Sequence, residues 1–196
     1  MNASFELLID GVTEQQFGSI AGFIDSTLVA DLRNRLLECH EQGLMKPAGI
    51  GKDSSYNQNH KVRGDEIFWL DKENHPVEKA FLERVESLIS YLNQTCYTGL
   101  NGYEFHFARY KPGSFYRRHL DRFKTDSGRV FSLICYLNEN WTPEDGGQLI
   151  LHLPDQQVTV VPVGGQAVFF KSNEVEHEVV EAHRERLSIA GWLKRN

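Results

Sequence analysis

The second half of the chain is a succession of short apolar segments, and this pattern limits the possible folds more than any other feature of the sequence. Each segment has six to nine residues and is rich in β-branched and aromatic side chains, and most of the segments are separated by turns that contain Gly, Pro, Asn or Asp. The segments are 103–110, 129–137, 147–153, 157–163, 166–171, 176–182 and 186–193. Many short strands at this spacing are typical of a β-sandwich or a jelly-roll barrel.

Two helices are predicted ahead of these strands. Asp25 or Ser26 can cap the first helix, in which leucines at positions 28, 32 and 36 repeat every four residues, and Gly43 can end it. The second helix is predicted from Pro76, a residue suited to a first turn, to Asn93. Helices followed by a run of strands predict an α+β fold.

Residues 46–65, between the predicted helices, have no apolar period and are rich in Gly, Ser, Asn and Asp. A loop of this length is either functional or a plain insertion, so a lid over a site and a surface insertion both stay open. No linker or repeat divides the 196 residues. We therefore expect a single domain, with helices and the loop over about residues 1–100 and the β core over about residues 101–196.

The composition argues against several classes of protein. A net charge of −6 and a pI of about 5.7 do not suit a nucleic-acid partner. No apolar run approaches the roughly 20 residues of a membrane span, and the first residues lack the features of a signal peptide. The cysteines, Cys39, Cys96 and Cys135, match neither a disulfide framework nor a zinc motif, so we expect a reducing, cytoplasmic location.

The residues best suited to chemistry lie in YKPGSFYRRHLDRF, residues 110–123. His119 and Asp121 are two residues apart, so on a strand both would point to one face and could reach one ion. Such a tripeptide also arises by chance, as two solvated polar residues. It becomes informative only if a second histidine completes the two-histidine, one-carboxylate set of non-haem iron oxygenases.

His177 is the best candidate for that second histidine, because it opens a strand after a polar turn. We expect His152 to face outward from the middle of its strand and His183 to be solvated in a turn. Strand alternation would direct Glu176 and Glu178 away from the metal. The sequence therefore predicts one histidine and one carboxylate from one segment and one histidine from another.

Arg186 begins the last strand, nine residues after His177. An antiparallel return of the chain would bring it into the same cavity, on one strand face with Ser188, Ala190 and Trp192. A guanidinium binds a carboxylate through two parallel hydrogen bonds and stays charged. Arg186 could anchor a dicarboxylate in this way, or it could form a surface ion pair with a neighbouring glutamate.

Taken in order, these segments resemble the prolyl-hydroxylase family of 2-oxoglutarate oxygenases, above all the hypoxia-inducible-factor type and its bacterial relatives. The shared motifs run over about residues 60–193 and comprise VRGDEIFWL, YKPGSFYRRHLD, CYLNENW, EDGGQL, HEV and RLSIAGW. The resemblance implies a double-stranded β-helix, or jelly-roll, backed by N-terminal helices. It also implies Fe(II), 2-oxoglutarate and O2 as cofactor and cosubstrates, with ascorbate as a candidate reductant.

The resemblance further implies a role for each matching residue. The iron ligands would be His119, Asp121 and His177. Arg186 would bind the distal carboxylate of 2-oxoglutarate, in a pocket lined by Tyr110 and Tyr136. The residues around the target proline would be Tyr116, Arg129 and Trp192. Asp65 would pair with Arg129 and tie the loop to the core.

The implied reaction is hydroxylation of a prolyl residue in a protein, with release of succinate and CO2. The implied partner in bacterial relatives is elongation factor Tu, presenting a proline in a flexible loop. Hydroxylation of free proline or another small molecule, a non-catalytic metal-binding β-barrel and a zinc hydrolase on the same ligands stay open, and a nucleic-acid demethylase fits the charge poorly. Ser188 and Ala190 depart from the animal enzymes, and residues 46–59 carry no motif that identifies the substrate.

Overall fold

The computed structural model of the chain describes residues 2–49, 63–121 and 128–195. Most of the predicted lid, residues 50–62, lies outside these ranges, so its role as a lid stays a prediction. The described start of that loop forms a two-residue strand, Lys46–Pro47, which pairs with the strand that follows the loop. At least one end of the segment is therefore fixed to the sheet.

Three helices precede most of the strands: α1 Asn2–Gln15, α2 Ser26–Glu41 and α3 Pro76–Cys96. Helix α2 is confirmed together with its cap, since the Asp25 side chain accepts a hydrogen bond from the backbone N of Leu28 (2.8 Å). Helix α3 is confirmed and is three residues longer than predicted. No helix was predicted where α1 lies; Gly11 in its middle weakens the local helix signal but permits close contact with β1, where an added Cβ would lie 2.6 Å from Gly18 Cα.

All seven predicted strands are present, with ends shifted by up to three residues, and four further strands accompany them in the described parts of the chain. The strands are β1 Phe17–Ile20, β2 Lys46–Pro47, β3 Asp65–Trp69, β4 Gly102–Tyr110, β5 Tyr116–His119, β6 Arg129–Tyr136, β7 Leu149–His152, β8 Gln157–Val160, β9 Ala167–Lys171, β10 Glu176–Val179 and β11 Arg186–Lys194. The four additional strands (β1, β2, β3 and β5) have two to five residues. They are too short to show a period in the sequence.

The strands form two antiparallel sheets. The major sheet has the order β1-β9-β6-β11-β4-β3-β2, and the minor sheet has the order β5-β10-β7-β8. An inner cluster of buried apolar side chains draws on both sheets, for example Ile134 and Phe170 from the major one and Leu149 and Leu151 from the minor one. This arrangement confirms the predicted α+β class and the jelly-roll core backed by helices.

The last strand separates the two sides of the major sheet. Leu187, Ile189 and Leu193 alternate with the residues of the other face and pack into the core shared with the helices. The opposite face of β11, which begins with Arg186, is directed to the space between the sheets. No helix in the described parts of the chain is both long enough and apolar enough to cross a membrane.

Candidate metal centre and active site

Two histidines and one aspartate meet between the sheets. His119 on β5 and His177 on β10 are direct cross-strand partners. Their Nε2 atoms each lie 3.5 Å from the Asp121 carboxylate, His119 from Oδ1 and His177 from Oδ2. One ligand atom from each of the three residues lies within 4.8 Å of the others. Two imidazoles and one carboxylate arranged in this way can hold a divalent iron on one face and leave other positions open.

Backbone contacts set the tautomer of both histidines. Nδ1 of His119 lies 2.8 Å from the carbonyl oxygen of Arg117, and Nδ1 of His177 lies 3.2 Å from that of Val175. A carbonyl oxygen only accepts hydrogen bonds, so Nδ1 must carry the proton on each ring. The Nε2 lone pairs are left directed toward Asp121, which is the tautomer that a metal ligand requires.

The charge states in this cluster also suit a cation. Burial lowers the pKa of His177 to about 4, although the nearby Asp121 carboxylate opposes the shift, so the imidazole is neutral at physiological pH. Burial would raise the pKa of Asp121, but the adjacent imidazoles and the Ser132 hydroxyl outweigh it and hold that pKa well below its ordinary value. An ionised carboxylate beside a neutral imidazole is the protonation state that binds a metal.

Residues that the sequence analysis did not single out hold the Asp121 carboxylate in place. The Ser132 hydroxyl donates to Asp121 Oδ2 (2.7 Å) and contacts the Ser172 hydroxyl (2.9 Å). Both serines are fully buried. Polar partners of this kind orient metal ligands. The sequence gives little indication of this role, because a serine in or beside an apolar strand often has no specific function.

The predicted reason for the convergence of His119 and Asp121 was wrong in one respect. Strand β5 ends at His119, and Asp121 lies in the bend that follows, so the two do not share a strand face. Contacts from β6 direct Asp121 instead, through the Ser132 hydroxyl and through Arg129 Nη1, which donates to the Asp121 carbonyl oxygen (3.1 Å).

Arg186 is 1% exposed, on the inner face of the major sheet. Its Nε donates to the Gly147 carbonyl oxygen (2.8 Å) and its Nη1 to the Ser188 hydroxyl (3.1 Å). Its guanidinium carbon lies 4.9 Å from the centre of the Tyr110 ring and 5.2 Å from that of Tyr136. Within the described ranges no carboxylate pairs with this buried cation, so it does not form the surface ion pair considered as its alternative.

Tyr136 adds an unused hydrogen-bonding group to the same pocket. Its hydroxyl is buried and makes no hydrogen bond with any residue in the described ranges. Burial raises the pKa of Tyr136 to about 12, and burial also raises that of Tyr110, so both hydroxyls stay protonated donors. A guanidinium without a carboxylate and a hydroxyl without a partner form a pocket suited to an anion that carries oxygen acceptors.

The two glycines of the EDGGQL motif allow the backbone to approach this pocket. Gly147 has a φ of +64°, and an added Cβ would lie 2.9 Å from Cδ of Arg186. Gly146 has a φ of +70°, and an added Cβ would lie 2.2 Å from the Glu181 carbonyl oxygen. A side chain at position 147 would therefore displace Arg186, whose Nε donates to the Gly147 carbonyl oxygen.

The expected route from His177 to Arg186 was also wrong. Strand β10 belongs to the minor sheet and β11 to the major sheet, so the two strands are not paired. Arg186 instead pairs in register with Tyr110 of β4. It reaches the site from the opposite wall because the chain crosses from one sheet to the other between positions 179 and 186.

At the mouth of the site, the structure places Arg129 and Trp192 in contact. The guanidinium carbon of Arg129 lies 3.4 Å from the Trp192 ring centre, and the same guanidinium pairs with Glu104 (2.7 Å). Tyr116 stacks on the His119 imidazole, with ring centres 3.7 Å apart. Tyr116 thus contacts the metal cluster directly and Trp192 is joined to it through Arg129, whereas their roles around a target proline stay a prediction.

Asp65 does not form the predicted pair with Arg129. Its two carboxylate oxygens accept from Nε and Nη2 of Arg63 (2.7 and 2.6 Å). Arg63 is only two residues away in the chain, and it lies 4.3 Å above the Tyr116 ring. The local arginine takes both oxygens, whereas Arg129 faces Glu104 and Trp192 on the far side of the mouth.

Four other residues considered as ligands are engaged elsewhere, as predicted: His152, His183, Glu176 and Glu178. His152 Nε2 lies 2.9 Å from the Glu178 carboxylate, and Glu176 pairs with Arg118. Both glutamates therefore face away from the metal ligands. His183 is exposed, and its Nδ1 lies 2.8 Å from the backbone carbonyl oxygen of Glu144.

Comparisons with known proteins agree with this geometry. Residues 105–194 match the model of the 2OG-Fe(II) oxygenase superfamily. A crystal structure of a Pseudomonas putida prolyl-4-hydroxylase is 38% identical, with 98% of this chain and 99% of that chain covered and a TM-score of 0.89. A Trichoplax adhaerens prolyl hydroxylase, solved with a hypoxia inducible factor peptide fragment, is 27% identical, with coverage of 97% and 88% and a TM-score of 0.87.

The mouse prolyl hydroxylase EGLN3 is 24% identical over 200 residues, which cover 96% of this chain and 82% of that protein. The superfamily uses Fe(II), 2-oxoglutarate and O2, and the two-histidine, one-aspartate cluster with its anion pocket fits that requirement. The chain therefore belongs to the 2OG-Fe(II) oxygenases, and within that superfamily it is an enzyme of the prolyl-hydroxylase type.

Proposed function

We propose that this enzyme hydroxylates a prolyl residue of a protein and releases succinate and CO2, with His119, Asp121 and His177 as iron ligands and Arg186 as the anchor of 2-oxoglutarate. The observation that carries the proposal is the buried Arg186 guanidinium, which no carboxylate in the described ranges neutralises. Leaving a charge buried and unpaired costs several kcal/mol. A cosubstrate carboxylate would remove that cost, and the Tyr136 hydroxyl offers it a further donor.

The same pocket favours an oxygenase over the two other functions considered for the metal cluster, a module that only binds a metal and a zinc hydrolase. A module that only bound a metal would have no use for a buried cation on the opposite wall. A zinc hydrolase would need a general base beside the open metal positions. Glu176 and Glu178 flank His177 in the chain but are bound to Arg118 and His152, so neither can serve.

Each residue contributes positioning, charge or a hydrogen bond. His119 and His177 offer their Nε2 atoms as ligands, and the ionised Asp121 carboxylate, held by Ser132, supplies the negative charge. Arg186 fixes the far carboxylate of 2-oxoglutarate, and the Tyr136 hydroxyl donates to an oxygen of the same molecule. Iron held by His119, Asp121 and His177 would supply the activation of O2, coupled to the decarboxylation of 2-oxoglutarate. The apolar inner cluster excludes water, which strengthens these interactions.

A protein as the substrate is supported by the relatives. The Trichoplax enzyme, which covers 97% of this chain, was solved with a peptide fragment in place. Elongation factor Tu is the proposed substrate here, through a proline in a flexible loop, with Tyr116, Arg129 and Trp192 around that residue. A reducing, cytoplasmic location belongs to the same proposal, and it suits the free thiols of Cys39, Cys96 and Cys135.

Two measurements test the proposed function. Anaerobic Fe(II) titration in the presence of 2-oxoglutarate should produce a weak visible charge-transfer band, and metal-replete protein without that band would contradict the cosubstrate assignment. With O2, mass spectrometry of purified elongation factor Tu should show the addition of one oxygen atom to a proline, matched by the succinate formed. Oxygen on another residue type would contradict the prolyl assignment, and an unmodified factor would contradict the choice of partner alone.

A further inference from the structure

His106 lies on the face of the major sheet that also carries Tyr110 and Arg186. It has no part in the proposed binding of the metal or of 2-oxoglutarate. On β4 it is level with Trp69 of β3 and Ala190 of β11. It is four residues before Tyr110, so strand alternation directs both side chains to the same face. The side chain is 4% exposed. His106 therefore belongs to the wall between the 2-oxoglutarate pocket and the mouth.

The imidazole of His106 lies against two indole rings. Its centre is 5.0 Å from that of Trp69, which is 48% exposed, and 5.7 Å from that of Trp192. On its other side, Trp192 contacts the Arg129 guanidinium. The rings thus form a continuous wall from the surface to a residue that binds the backbone of Asp121.

Two nitrogen atoms in this wall have no hydrogen-bond partner within the described ranges. They are Nδ1 of His106 and Nε1 of Trp192, and both are buried. Unpaired buried polar atoms are rare and costly, and a phenylalanine would occupy the place of His106 without that cost. The Tyr136 hydroxyl, proposed to bind 2-oxoglutarate, is unpaired in the same way. By analogy, the two nitrogen atoms are suited to a ligand that binds at the mouth.

The charges around His106 indicate what kind of ligand this is. Burial lowers the pKa of His106 to about 4, so the imidazole is neutral at physiological pH. The nearby guanidinium groups already have carboxylate partners: Arg63 pairs with Asp65, and Arg129 pairs with Glu104. The carboxylate of a free amino acid would need an unpaired cation, whereas a peptide group needs only neutral hydrogen-bonding atoms.

We propose that His106 is a specificity-determining residue, which with the indole N–H of Trp192 hydrogen-bonds the peptide group beside the target proline and makes the site select a prolyl peptide over free proline. The Trp192 N–H donates to the peptide carbonyl, and the neutral imidazole supplies the second hydrogen bond. This inference rests on the proposed prolyl hydroxylation and names the form in which the proline is recognised.

The test compares the wild type with His106→Phe, which keeps a ring but has no polar atom, and with Trp192→Phe, which removes the other nitrogen. One probe is the peptide that the wild type hydroxylates most in a tryptic digest of bacterial protein, and the other is L-proline. His106→Phe should raise the KM for the peptide about tenfold, the effect of one lost hydrogen bond to a buried group. The charge-transfer band with 2-oxoglutarate should persist, and a larger share of succinate should form without hydroxylation.

Trp192→Phe should also raise the KM for the peptide. In the double variant the KM should rise by less than the product of the two single increases, because both residues bind one peptide group. His106→Gln retains hydrogen-bonding atoms and should recover part of the loss, which a purely structural defect would not allow. An unchanged peptide KM in His106→Phe, or better turnover of L-proline than of any peptide by the wild type, would overturn the inference. Absence of the band and of all prolyl hydroxylation in the wild type would instead refute the proposed function.

Discussion

Replacement of Arg186 by methionine should separate the stability of the protein from its affinity for 2-oxoglutarate. In the absence of cosubstrate, the guanidinium is buried with two hydrogen bonds to neutral acceptors and, among the residues that the structure describes, no carboxylate partner. Methionine would remove two hydrogen bonds, each worth about 1 kcal/mol, but also the burial of an unpaired charge. Since a buried unpaired charge costs several kcal/mol, which exceeds the loss of the two hydrogen bonds, we expect the free energy of unfolding of the cosubstrate-free variant to equal that of the wild type or to exceed it by up to about 3 kcal/mol.

With 2-oxoglutarate the balance changes, because the variant leaves a buried carboxylate unpaired. Loss of one partner of such a pair costs about 3–5 kcal/mol, which corresponds to a weakening of roughly 10²–10³-fold or more. Calorimetric titration with Fe(II) present should show this loss, and the thermal stabilisation by 2-oxoglutarate should disappear with it. Arg186→Lys should fall between the two, since a lysine keeps the charge but not the paired donors.

Arg184→Met is the matched control. This arginine is two residues away, is exposed, and donates to the carbonyl oxygens of Glu139 and Asn140. Its replacement should leave the affinity for 2-oxoglutarate unchanged. If Arg186→Met bound 2-oxoglutarate as tightly as the wild type, or lost affinity no more than Arg184→Met did, then the argument from the unpaired cation would be wrong.

Three further predictions follow from individual contacts. Ser132→Ala should weaken Fe(II) binding roughly tenfold by releasing the Asp121 carboxylate, as measured by anaerobic metal titration; affinity equal to the wild type would show that the hydroxyl does not orient the ligand. Gly147→Ala should destabilise the protein by about 1–3 kcal/mol, because of its positive φ and the 2.9 Å approach to Arg186, and should raise the KM for 2-oxoglutarate; normal values in denaturant unfolding and kinetics would contradict this. The pKa of His106 is lowered from 6.5 to about 4 in the folded protein. Below pH 6.5 the unfolded chain therefore binds a proton at His106 that the folded protein does not bind until the pH nears 4. Stability should therefore fall between pH 6.5 and 4 by up to about 1.4 kcal/mol per pH unit, and His106→Phe should lessen that slope; parallel curves for variant and wild type would refute the assignment.

The sequence by itself determined the features that depend on neighbouring residues. The four-residue repeat of leucines after Asp25 and the apolar face after Pro76 predicted α2 and α3, because helix formation depends on contacts within one or two turns. The seven β segments were visible for the same reason. The ordered motifs also predicted His119, Asp121, His177 and Arg186 as site residues without any distance between them.

Only the tertiary structure decided how these residues face one another. The partner of Asp65 is Arg63 and not Arg129, and the carboxylate of Asp121 is directed by Ser132 and not by the pleat of its own strand. Arg186 enters from the sheet opposite to His177. These contacts join positions that are distant in the chain, or choose between competing partners of equal charge. No local pattern records such a choice, because it depends on which side chains the packing of the two sheets brings within hydrogen-bonding distance.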